Sequence, residues 1–70
     1  MQRSVLWSSD DGGFVVLVRH GVHVVGLYRA ERLGGSPVEM RAQAAAKAIE
    51  LALEHRIELR NVTESPAAMD

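Results

Sequence analysis

Gly13–Ala30 reads "GFVVLVRHGVHVVGLYRA". Two β-branched arms, Phe14–Arg19 and Val22–Arg29, flank a His-Gly pair, which is the pattern of a β-hairpin. A two-residue His20-Gly21 turn of type I′ is expected, because Gly takes positive φ freely and His is among the other residues that tolerate it. That turn pairs Arg19 with Val22, Val18 with His23, Leu17 with Val24 and Val16 with Val25. Alternate residues then share a face. Phe14, Val16, Val18, Val25 and Leu27 line one face, with His23 among them. Val15, Leu17, Val22, Val24 and Tyr28 line the other. Both faces are apolar, so each needs a cover, or one stays open.

The rest of the chain offers one cover. "SPVE" (Ser36–Glu39) is a capping box: Ser36 caps the first turn, Pro37 suits the first helical position and Glu39 reaches back to the Ser36 N–H. A helix is expected from Pro37 to about His55. Val38, Ala42, Ala45, Ile49 and Ala52 recur at helical spacing as its buried stripe, widened by Leu51 and Leu53. Glu39, Gln43, Lys47, Glu50 and Glu54 form the wet face. The stripe is mostly Ala, so the helix can lie close to a sheet. His55 and Arg56 place positive charge at the helix C-terminus.

Ser4–Ser8 is a short strand, and Ser9–Gly13 is dense in turn formers. Glu31–Gly35 is a linker, and Ile57–Val62 alternates as a last strand. The expected fold class is α+β, in the order β-β-β-α-β: an antiparallel meander packed on one face by a single Ala-rich helix, with a fourth strand. Residues 1–62 form the domain, and Thr63–Asp70 is expected to be a disordered tail. No second helix is available, so the Val15–Leu17–Val24 face is expected to be open, and an open apolar patch marks a partner or self-association.

Composition narrows the function. Seventy residues make at most one domain, and a chain this short buries only about 60% of its unfolded surface. There is no cysteine, so disulfides do not staple it. Eight basic and nine acidic residues give a net charge of −1, which argues against direct nucleic-acid binding. All but one of the basic residues are Arg, the cation favoured at protein interfaces. "MQRSVLW" lacks the apolar core of a signal peptide, and no run approaches a membrane span. The expectation is a cytoplasmic protein that does not bind membrane.

Three chemical constellations have plainer readings. His20, His23 and His55 lack the cysteines and spacing of a zinc site, so no metal and no cofactor are expected. Asp10, Asp11, Glu39 and Glu64 resemble, in placement, the carboxylates that an RNase H-like fold gathers around two metal ions. Asp10 and Asp11 fall in a turn, Glu39 is a cap and Glu64 lies in the tail, so no catalytic residue is assigned. The acidic helix face, a phosphate mimic in its sharper reading, is interrupted by Arg41 and Lys47. Trp7 and Tyr28 are expected at the core or its edge. "DGG" and "LGG" lack the Lys and spacing of a P-loop.

Two families are similar in outline. "DDGGFVV" and "AAAKAIELALE" (Ala44–Glu54) resemble antitoxins of the HicB-like class, a likeness mainly of topology, without that class's Pro-rich loop or DNA-binding segment. A closer resemblance is to small anti-CRISPR proteins of phages and mobile elements, in particular a short type I-F inhibitor. Gly13, Phe14, Val16 and Val18, then "VVG" (Val24–Gly26), Arg29-Ala30, Gly35-Ser36 with a following Pro, and "AAAKAIELALE" carry it. It covers roughly Gly12–Glu54. The sequence departs from the pattern in a shorter hairpin turn, a longer linker and a shorter C-terminal region.

The resemblance implies a non-enzymatic protein-binding inhibitor in the cytoplasm of a bacterial host, occluding a surface of a type I CRISPR effector complex. Read with the open face, it makes Val15, Leu17, Arg19, Val22, Val24 and Tyr28 the partner-binding residues. The alternative is a HicB-like antitoxin or another small interaction module, a homodimer through that same face.

Overall fold

A computed structural model describes residues 2–65. Four strands and one helix follow the expected α+β order: β1 (Arg3–Asp10), β2 (Gly13–His20), β3 (His23–Glu31), α1 (Pro37–Glu54) and β4 (Val62–Glu64). The strands form one mixed sheet in the order β3-β2-β1-β4. β1, β2 and β3 are an antiparallel meander, and β4 lies parallel to β1. α1 crosses from the β3 edge to the β4 edge and packs on β1 and β2.

The helix begins where its capping chemistry places it. Ser36 Oγ accepts the Glu39 N–H at 3.2 Å, and Pro37 opens the first turn. It ends in a Schellman motif: the Ile57 N–H donates to Ala52 O at 2.7 Å and the Arg56 N–H to Leu53 O at 3.2 Å. Arg56 holds the left-handed position at φ 58, which ordinarily favours Gly. The motif turns Ile57 into the core, where it is buried.

The core joins Val5, Trp7, Phe14, Val16 and Val18 of the sheet to Met40, Ala44, Ala48 and Ala52 of the helix, closed by Ile57. Large residues on the sheet meet small ones on the helix, which lets the layers close without voids. Each fully buried valine contributes about 1.5–3 kcal/mol by leaving water. Trp7 belongs to this core and Tyr28 stands at its edge, as expected.

Several expectations are corrected. The turn is Gly21-Val22, not His20-Gly21, and His20 pairs directly with His23. Gly21 has φ 65 and Val22 is not at positive φ, the sign pattern of a type II′ turn with Gly in the first central position. A bulge then adds one residue to β3, so Val18 pairs with Gly26, Leu17 with Leu27 and Val16 with Tyr28. The reason lies above the strand. A Cβ at residue 26 would stand 3.3 Å from the Val18 Cβ and 3.4 Å from His55 Nε2. The bulge sets a glycine beneath the helix end and moves Val25 away from it.

The helix stripe is also different. Val38 is 77% exposed, and Ala42 and Ile49 are exposed. Of the expected stripe only Ala52 is buried, Ala45 and Leu51 are partly so and pack against the core, and Leu53 faces solvent. The first strand runs longer than Ser4–Ser8. In place of a strand over Ile57–Val62, a 3-10 turn spans Leu59–Asn61 before the short β4. Thr63 and Glu64 are therefore strand rather than tail, and the Ser65 N–H donates to Trp7 O at 2.7 Å; residues 66–70 of that expected tail lie outside the described residues.

Candidate functional site

α1 covers one face of the sheet, and paired residues of neighbouring strands share a face. Phe14, Val16 and Val18 face the helix, so their partners Ala30, Tyr28 and Gly26 do too. The opposite face carries Leu6, Leu17 and Leu27 in direct register across β1, β2 and β3, with Thr63 of β4 continuing the row. No described element packs over it. Leu27 is 59% exposed, Val24 54% and Val25 47%.

Two arginines border this leucine row. Arg29 pairs with Val15 on one side, and Arg19 with Val24 on the other. Each lies one same-face step from the row, so they are about 14 Å apart along the strands. The ion pairs among the described residues are Arg41–Glu64, Lys47–Glu50 and Arg60–Glu58, none of which uses either arginine. The face is therefore apolar at its centre and cationic at two flanks.

Of the residues read from the sequence as binding residues, Val15, Leu17, Arg19 and Val24 come together here. Val22 sits in the hairpin turn. Tyr28 is on the helix side: its ring stacks on Phe14 with centroids 5.7 Å apart, and the Lys47 ammonium lies 4.5 Å above it. Val25 and Leu27 were expected in the core and instead extend the open face. Leu6 was missed; the alternation Val5-Leu6-Trp7 marks it once β1 is paired with β2. Leu27 and Arg29 follow only from the bulge.

Lys47 holds its proton more tightly than an ordinary lysine. Its hydrogen bond with Glu50 raises the pKa above 10.5; partial burial opposes this, and the negative charges of Glu50, Tyr28 and Glu54 add to the rise. Its ammonium lies between the Tyr28 ring and the Glu50 carboxylate.

The carboxylates are engaged separately. Asp10 Oδ1 accepts the Gly12 and Gly13 N–H groups at 2.7 and 3.0 Å, an Asx turn that closes β1 onto β2. Glu64 pairs with Arg41 at 2.5 Å, and that guanidinium lies 6.0 Å from the Trp7 ring centroid. The Glu39 carboxylate folds back over Gly35. His20 and His23 are brought opposite each other across the turn, but no metal-holding group of three or more His, Cys, Asp or Glu occurs among the described residues. No helix among them is long and apolar enough to cross a membrane.

No family model matches the chain, and searches of curated proteins and of solved structures return no similar protein.

Proposed function

We propose that this chain is a non-catalytic protein-binding module whose open sheet face docks on a partner and occludes it. One observation carries the reading: the Leu6–Leu17–Leu27 row, half-buried at Leu6 and Leu17 and exposed at Leu27, on which no described element packs, widened by Val15, Val24 and Val25 and bordered by Arg19 and Arg29, neither of which has an ion pair among the described residues. An apolar centre with arginines at its rim is the composition of an interface. The complementary partner surface is apolar with carboxylates about 14 Å apart. The engagement of Asp10, Glu39 and Glu64 within their own turns and pairs supports a binding role over a hydrolytic one.

The resemblance to short type I-F anti-CRISPR proteins supplies a partner class, a subunit of a type I CRISPR effector complex. The test is expression in cells with an active type I-F system, followed by phage plating and co-purification of the complex. Restored plaquing with capture of the complex is expected. Full restriction with no captured subunit contradicts this partner.

A second reading, a HicB-like antitoxin, is favoured by the β-β-β-α-β order with β4 parallel beside β1. Rescue from a co-expressed HicA-type toxin, with no effect on phage restriction, is the result that selects it.

A further inference from the structure

Among the described residues β3 is an edge strand of the sheet, with no strand on its outer side. Its hydrogen-bonding phase is fixed by the Arg32 N–H, which donates to Gly12 O at 2.9 Å. Donors and acceptors alternate along an antiparallel ladder. Ala30, Tyr28 and Gly26 therefore turn their N–H and C=O groups toward β2, and Glu31, Arg29 and Leu27 turn theirs outward. Exposed edges of this kind are templates for another strand.

We propose that the β3 edge pairs antiparallel with β3 of a second copy, about a two-fold axis at Leu27. The two four-stranded sheets then join into one. Three observations select this register. β3 spans His23–Glu31, so an axis at its central residue, Leu27, overlaps the whole strand. Charge selects the same axis. An axis at Arg29 sets two arginines face to face, and one at Tyr28 leaves them diagonal, about 7–8 Å apart. At Leu27 they stand about 14 Å apart along the strands, each opposite the Val24–Val25 bulge of the other copy. Axes nearer His23 centre on the bulge itself. The bulge and the arginine also guard the edge against unrelated strands, whereas a copy in this register accommodates both.

The pairing has a consequence for the open face. Leu27 meets Leu27 of the second copy, so the leucine rows of the two chains become one unbroken row. An isologous two-fold contact is the commonest route to a dimer, and a chain of 70 residues with one small core gains from it. The inference stands whether or not the open face has a foreign partner.

Sedimentation equilibrium of the full chain across the micromolar range, with amide exchange by NMR, tests it. A dimer of the 7.7 kDa chain is expected. The Leu27 and Arg29 amides slow as the dimer forms, while those of Tyr28 and Ala30 are slow at every concentration. Leu27→Pro removes only an outward N–H, a position where an edge strand tolerates proline, and weakens association at least about tenfold. Arg29→Pro is the same test at the next outward position. Leu17→Asp, in mid-sheet, leaves the dimer intact. A monomer throughout, or a dimer with fast-exchanging Leu27 and Arg29 amides, overturns the proposal. So does a dimer broken by Leu17→Asp and not by proline at 27. If neither proline variant folds, the wild-type exchange pattern decides.

Discussion

Val16 and Leu17 are neighbours in β2 with opposite fates. Val16 is fully buried under the helix, and Leu17 is half-buried on the face that no described element covers. The helix repeats the contrast: Ala48 is fully buried, while the larger Ile49 beside it is 44% exposed. In both pairs the bulkier residue faces out. Hydrophobicity alone does not decide burial here; α1, the one cover of the sheet among the described residues, does. The apolar residues left uncovered are the candidates for contact with something else.

The largest effect should come from inverting the buried side of this contrast. Val16→Asp places a charge among Trp7, Val18 and Ala48 without a partner, at a cost of several kcal/mol. The expected result is a chain without a cooperative urea transition. A folded Val16→Asp would mean that the faces are assigned backwards.

Next is the bulge that separates the two faces in β3. Gly26→Val drives a branched side chain into Val18 and His55, an overpacking that costs about 1–3 kcal/mol in urea denaturation. Gly26 decides the register, so an unchanged midpoint would remove the reason given for the bulge. The cap at the helix end gives a gain of smaller size. Arg56→Gly relieves a left-handed non-glycine residue and is expected to stabilise by about 1 kcal/mol, read as a raised urea midpoint.

The smallest effect belongs to Lys47, the side chain that reaches from the helix toward the β3 edge. Its pKa in the folded chain is raised above 10.5, chiefly by Glu50. A raised folded pKa contributes stability at pH values below 10.5, and that contribution fades as pH climbs from there through the folded value. The stability difference between wild type and Lys47→Met should shrink over that window. A difference that grows there would reverse the assigned sign.

What the sequence revealed divides along similar lines. The "SPVE" cap and the element order were legible, because capping and turn chemistry act within a few residues. The helix stripe was not. Val38-Ala42-Ala45-Ile49 and Met40-Ala44-Ala48-Ala52 are both periodic, and only the bulky Trp7 and Phe14 beneath select the smaller set. The face of β3 misled because its bulge depends on His55 lying over Gly26, a contact between distant parts of the chain. The last strand starts later than the alternation of Ile57–Val62 suggests, because Ile57 serves the helix cap instead. At the candidate site, Val15, Leu17, Arg19 and Val24 were legible from alternation within β2 and its partner arm. Leu6 required the pairing of β1, and Val25, Leu27 and Arg29 required the bulge.

The central claim is that the uncovered face, rather than the covered one, carries the function. Leu17→Asp tests it most directly in the phage-plating and co-purification assay. The expected variant keeps a cooperative urea transition, with a loss of about 1–2 kcal/mol for a half-buried strand position, and loses both protection of phage and capture of the effector complex. A Leu17→Asp chain that inhibits as well as wild type, or one that no longer folds, contradicts the account.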